Sequence, residues 1–136
     1  MSKEEMMFMY WRDKLQLNDW SIRFKYNVSY EDMNIEDACG CTSWNEAGKS
    51  ALIQILRPDQ YGERIVPFDI EKTIVHELLH IKTSLISSNC DDLQQRVAHQ
   101  LIDDLAKAMV DARRNSKITK DMIEKWEKET NEEHDD

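Results

Sequence analysis

The segment His76-Glu77-Leu78-Leu79-His80 carries more chemistry than any other part of this sequence. On an α-helix, positions four apart lie on one face, one turn above the other. Two imidazoles at that spacing can share one tetrahedral Zn2+. Glu77 follows His76 directly, rotated by about 100° around the helix, so its carboxylate flanks the metal without ligating it. From there it can take a proton from a water that the metal activates. Apolar periodicity predicts that the segment belongs to a helix from Ile70 to about Ser87, with Asp69 as its N-cap. Ile70, Ile74, Val75, Leu78, Leu79, Leu85 and Ile86 form the expected apolar face. Thr73, His76, His80, Thr83 and Ser87 form a polar stripe opposite, so one side should be buried while the other presents the histidines.

A catalytic zinc site of this kind takes three protein ligands and keeps one position open. Downstream candidates are Cys90, Asp91, Asp92, His99 and Asp103. His99 lies nineteen residues after His80, within the next helical pattern, and Asp103 one turn further on the same face. A carboxylate so placed can accept the outer N–H of a metal-bound imidazole. His99 is therefore the expected third ligand and Asp103 the expected orienting carboxylate, with Asp91, Asp92 or Cys90 as the alternative ligands. The two helices should meet through Leu78, Leu79, Leu101, Ile102 and Leu105, leaving His99 at the margin of the contact.

The elements that must position these residues are readable in outline. Met6, Met7, Tyr10, Trp11 and Leu15 recur at helical spacing over Lys3 to Leu15. Trp20 to Val28 alternates apolar and polar, as a half-buried strand does. Tyr30 to Ala38 reads as a polar loop. Cys39 to Asn45 and Ser50 to Leu56 read as strands joined in a hairpin through Glu46 to Lys49. Arg57 to Pro67 is a connecting loop holding both prolines. Asp91-Asp92 opens a helix to about Arg114, with Leu93, Val97, Leu101, Ile102, Leu105 and Met109 inward. A last helix is expected after a Thr119 cap, with Ile118, Met122, Ile123 and Trp126 on one side. The order is one helix, a small mixed sheet with a hairpin, then two or three helices, which is an α+β fold. Residues 1–130 form one domain in this reading, and residues 131–136 an acidic tail.

A helix bearing HELLH, preceded by a small sheet and followed by a helix carrying a ligand, resembles the zincin metallopeptidases. The spacing is similar to the gluzincin pattern, in which HExxH is followed about twenty residues later by ExxxD. The corresponding segment here is His99-Gln100-Leu101-Ile102-Asp103, with a histidine where that family has glutamate. The metzincin pattern does not fit, since Thr83 and Ile86 stand where it needs Gly and His. Chain length and the order of Trp20 strand, hairpin, TIVHELLH and helix look most like the small metallopeptidases carried by phages and prophages. The resemblance covers roughly residues 20–110. It implies a zincin-like fold and a zinc site, with no agreed substrate; with the residue reading, Zn2+ is expected on His76, His80 and His99, and hydrolysis of peptide bonds with Glu77 as general base. The alternative is a non-catalytic zincin-fold module that binds a host or regulatory protein, with structural zinc.

Composition limits the partners. The 136 residues carry a formal net charge of -9, which disfavours nucleic acid as a ligand. Four lysines against eight acidic residues from Ser116 onward supply nearly half of that excess. Three cysteines make an odd set, unlike a secreted disulfide framework. Glu4 and Glu5 stand where a signal peptide needs positive charge, and no apolar run reaches the ~20 residues of a membrane span. A cytoplasmic protein with reduced thiols is expected, acting on a peptide or protein, with no membrane association. Cys39-Gly40-Cys41 reads as small residues in a strand rather than a second metal site, and Trp44 as a core-packing residue. Arg57, Tyr61 and Arg64 precede the HELLH helix and are candidate oxyanion donors.

Overall fold

A computed structural model describes residues 1–33, 39–87 and 89–134. The loop expected over Tyr30 to Ala38 therefore lies partly outside the described residues, as do the last two residues of the expected tail. The chain forms α1 (Lys3–Lys14), β1 (Ser21–Val28), β2 (Gly40–Asn45), β3 (Ser50–Leu56), α2 (Ile70–Lys82), α3 (Ser84–Ser87), α4 (Asp92–Arg114) and α5 (Ser116–His134). Short 3-10 turns cover Tyr30–Asp32 and Pro58–Gln60. The fold is α+β, with five helices and a three-stranded mixed sheet among the described residues.

β3 is the central strand. It pairs in parallel with β1, from Ser21 opposite Ser50 to Lys25 opposite Gln54 and, past an irregularity, Val28 opposite Leu56, and antiparallel with β2, from Gly40 opposite Ile55 to Asn45 opposite Ser50. β2 is therefore a sheet edge. Ile53 and Ile55, two residues apart on β3, point to the same face and are fully buried with Ile74, Val75, Leu78 and Ile81 of α2. Phe8 and Trp11 of α1 and Ile102, Ala106 and Val110 of α4 complete this core. Phe8 stacks on Phe24 with ring centroids 4.6 Å apart, fixing α1 against β1.

One buried carboxylate ties three helices together. Glu71, in the first turn of α2, is only 2% exposed. It accepts a hydrogen bond from Trp11 Nε1 of α1 at 2.8 Å and a two-pronged pair from Arg113 of α4, 2.6 Å at each oxygen. Arg114 reaches the neighbouring Asp69 at 2.8 and 2.9 Å. These partners hold the Glu71 carboxyl below its ordinary range against the opposing effect of burial. Asp69 also caps α2, accepting from Lys72 N.

Several element boundaries and faces differ from those expected. α2 stops at Lys82 rather than running on to Ser87, because the Thr83 hydroxyl donates to the Leu79 carbonyl and bends the chain out of the helix. Leu85 and Ile86, expected inward, are consequently 68% and 66% exposed on α3. On α1, Met6 and Tyr10 face outward, and Phe8 joins Trp11 in the core. α4 is rotated relative to the expected face: Ile102 is buried, but Leu93, Val97, Leu101 and Leu105 are exposed. This helix carries two apolar rows, and hydrophobicity alone does not choose between them. The row of Ile102, Ala106 and Val110 wins because the same rotation brings Arg113 and Arg114 onto Glu71 and Asp69. The last helix begins at Ser116, with Thr119 inside it rather than capping it, and continues through the expected tail to His134. Met122, Ile123 and Trp126 are half exposed along it.

Candidate metal centre

α2 carries His76 and His80 one turn apart on the face turned away from the sheet core. Their Nε2 atoms lie 3.2 Å from each other. α4 crosses α2 and brings the His99 ring to 4.8 Å from that of His76 and 5.4 Å from that of His80, centroid to centroid. One ligand atom from each of the three histidines falls within 4.8 Å of the others. Burial disfavours the charged imidazole. Desolvation, with His99 nearby, lowers the His76 pKa, partly offset by Asp103. Desolvation and the two neighbouring imidazoles push His80 down to about 4. Both rings are thus neutral at pH 7, the state a metal requires of them.

Asp103 lies one turn beyond His99 on α4, with its Oδ1 3.5 Å from His76 Nδ1. The two nitrogens of His76 are divided accordingly, Nε2 toward His80 and Nδ1 toward the carboxylate. Lys107 holds the other Asp103 oxygen at 2.9 Å. These neighbours keep the Asp103 carboxyl below its ordinary range despite partial desolvation.

Glu77 is 5% exposed, and burial raises its pKa from 4.5 to about 7. Its seat is built by the edge strand. Thr42 Oγ1 donates to Glu77 Oε1 at 3.0 Å. Gly40 has no side chain because there is no room for one: an added Cβ would stand 3.0 Å from Glu77 Cγ and 3.1 Å from Thr73 Cγ2. Trp44, two residues beyond Thr42 on the same face of β2, lies over the His80 ring at 6.5 Å, nearly parallel to it. Trp44 is therefore half-buried against the histidines rather than a core residue, a placement that hairpin patterning alone gives no signal for.

A cavity of about 580 Å³ opens beside the histidines. His76, Glu77, His99 and Asp103 line it together with Gly40, Tyr61 and Phe68. Of the three candidate oxyanion donors, only Tyr61 lines this cavity, and its hydroxyl donates to the Val66 carbonyl at 2.6 Å. Arg57 is held by Asp59 beside the end of β1, outside this cavity, and Arg64 lies over the Tyr61 ring at 4.6 Å. The alternative ligands are committed elsewhere. Cys90 Sγ donates to the Ile86 carbonyl, and Asp91 caps α4 in a reciprocal pairing with Gln94. Neither these residues nor Asp92 belongs to the histidine cluster. Cys39 lines the cavity, Cys41 is buried with Met33 and Leu56, and all three cysteines are free thiols.

No helix among the described residues is long and apolar enough to cross a membrane. Comparison with protein families, curated proteins and solved structures finds no match to this chain.

Proposed function

We propose that this chain is a zinc-dependent metallopeptidase of the zincin type, acting in the cytoplasm on peptide or protein substrates. The observation that carries the reading is the convergence of three imidazoles beside a buried, cavity-lining glutamate. Three imidazole nitrogens with an open position suit zinc, whose tetrahedral ligands at ~2.0–2.1 Å stand ~3.4 Å from one another, against 3.2 Å between His76 and His80 and up to 4.8 Å across the three. His76, His80 and His99 hold the ion, and Asp103 fixes His76 by its outer nitrogen. When bound, zinc polarises the scissile carbonyl and makes water a competent nucleophile near neutral pH.

The remaining work falls to the chain itself. Glu77 accepts the proton of the attacking water at its carboxylate and delivers it to the leaving amine. A pKa near 7 suits both halves of that task, and Thr42 aims the carboxylate through Oε1. The outer edge of β2 offers backbone groups to an extended peptide lying along the cavity. A binding module that keeps zinc only for stability has no use for Glu77, so the buried base favours the enzyme over that alternative.

The test is cleavage profiling of a proteome-derived peptide library by zinc-loaded protein, wild type against Glu77→Gln. Wild type should generate a defined set of new termini, and Glu77→Gln should reduce their rate of formation by about 10²–10⁴-fold while keeping zinc. Equal cleavage by both proteins, or none by either with zinc bound, refutes the peptidase reading.

A further inference from the structure

The cavity opens on one side of the histidine cluster. His76, Glu77 and His99 line it, whereas His80 and Trp44 do not. Glu77 hands its proton to the leaving amine, so the part of a substrate that follows the cleaved bond is the part that enters the cavity. This step rests on the reading of the site as a peptidase. β2 runs from Gly40, against Glu77 and Thr73, to Trp44, over the His80 ring. A peptide passing from Trp44 into the cavity is therefore antiparallel to β2, the direction of the more stable edge pairing.

Two ammonium groups stand farther along. α2 and α4 are antiparallel, with His76 facing Asp103 and Lys72 facing Asp111. Lys72 comes one turn before His76 and Lys107 one turn after Asp103, so both lie in the same direction from the histidines, and both line the cavity. Tyr61, Val66, Pro67, Phe68 and Ala106 make much of the remaining lining apolar. Lys72 meets its aspartate at 3.3 Å, and Lys107 meets Asp103 at 2.9 Å. An ammonium has three donors, so each pair leaves donors for a further acceptor, and partly exposed pairs of this kind are weak. The acidic groups on the lining are committed: Asp69 to Arg114, and Asp103 to His76 and Lys107.

One turn is ~5.4 Å of helix axis, and an extended peptide covers ~3.3–3.6 Å per residue. A substrate group that reaches the lysines thus belongs to about the second residue after the cleaved bond. We propose that Lys72 and Lys107 anchor a carboxylate at that place, supplied by a free C-terminus or by an acidic side chain, with an apolar residue between it and the cleaved bond. Water adds to the carbonyl carbon, the C–N bond breaks, and the released amine takes the proton from Glu77. Where the carboxylate is the C-terminus, the products are a shortened peptide and a dipeptide.

The test uses the zinc-loaded full chain and N-acetylated random peptide libraries in three forms: ending in a free carboxylate, ending in an amide with no acidic residue, and ending in an amide with one internal glutamate. Mass spectrometry of the products should show release of a C-terminal dipeptide from the first form, or cleavage that leaves glutamate second after the bond in the third. The carboxylate-bearing form should react at least ~10-fold faster than the form without one. Which of the two forms reacts identifies the source of the carboxylate. Glu77→Gln, which binds without turnover, should hold the preferred peptide at least ~10-fold more tightly than its uncharged counterpart by isothermal titration calorimetry. Lys72→Met with Lys107→Met, at two partly exposed positions, should keep its far-UV circular dichroism and bring both ratios close to one. Equal cleavage of all three libraries, or ratios unchanged in the double variant, overturns the proposal and leaves the peptidase reading standing. Absence of cleavage in every library with zinc bound overturns both.

Discussion

Replacing Glu77 by glutamine should stabilise the metal-free protein, and only above a definite pH. The carboxyl is 5% exposed, and its pKa is about 7 when folded, against 4.5 for the free side chain. An acid whose folded pKa is raised contributes stability that is fully present below its unfolded pKa and is lost as pH rises through the folded one. The window therefore runs from pH 4.5 to just above 7. Across it the wild type loses ~3 kcal/mol, at ~1.4 kcal/mol for each pH unit separating the folded and unfolded pKa values. His80 has a folded pKa of about 4 and contributes an opposite slope, gaining stability as pH rises through the same region. His76, whose pKa is also lowered, adds to that opposite slope, so the informative quantity is the difference between the two proteins. Glutamine keeps the acceptor for Thr42 and the volume, and carries no charge to desolvate. Differential scanning calorimetry in chelator should give equal midpoints near pH 4.5 and a Glu77→Gln midpoint higher by ~10 °C at pH 8, given ~3–5 °C per kcal/mol at this chain length. A pH-independent difference, or a less stable variant at pH 8, would refute the account of a buried, uncompensated carboxylate.

Three further outcomes follow from the same geometry. Metal analysis should find about one zinc per chain, and His80→Ala should lose most of it, read by plasma mass spectrometry after dialysis. Asp103→Asn should weaken zinc binding by ~10–100-fold in competition with a chromogenic chelator, because His76 loses the carboxylate at its outer nitrogen. Arg113→Ala should cost ~2 kcal/mol in urea unfolding. That is less than the ~3–5 kcal/mol for an abandoned buried charge, since Arg113 is partly exposed and Arg114 remains 3.3 Å from Glu71.

How much of the fold is legible in the residues depends on the range of the interaction concerned. The helix holding His76 and His80, the alternating strand and the hairpin follow from local period, and each forms within a residue or two of the expected bounds, apart from the break at Thr83. His99 reaches the other two histidines as its spacing suggests, yet a different contact carries it there. Leu101 and Leu105 are expected between the two helices, and the row of Ile102, Ala106 and Val110 lies there instead. That choice rests on Arg113 and Arg114 meeting acidic residues more than forty positions away, which no local pattern encodes. Thr42 and Gly40 are hidden from the sequence for the same reason. Their partner is Glu77, and only the register of β2 against α2 brings them to it. A glycine between two cysteines in a strand is a faint signal, since a backbone position without a side chain often marks a close approach.

The carboxylate of Glu71 also sets a schedule for assembly. Its partners are Trp11, sixty residues earlier, and Arg113, forty-two later. During synthesis, the sheet and the HELLH helix emerge well before the clamp can close. A nascent chain that ends before residue 99 has two histidines and a base but no third imidazole, and one that ends before residue 113 lacks the arginine clamp on the end of α4. Convergence of all three imidazoles is thereby deferred until α4 has been made, whereas the seat of Glu77 is complete once β2 and α2 have met. A truncation just short of Arg113 removes no histidine from the cluster, yet it leaves Glu71 without either of its arginines.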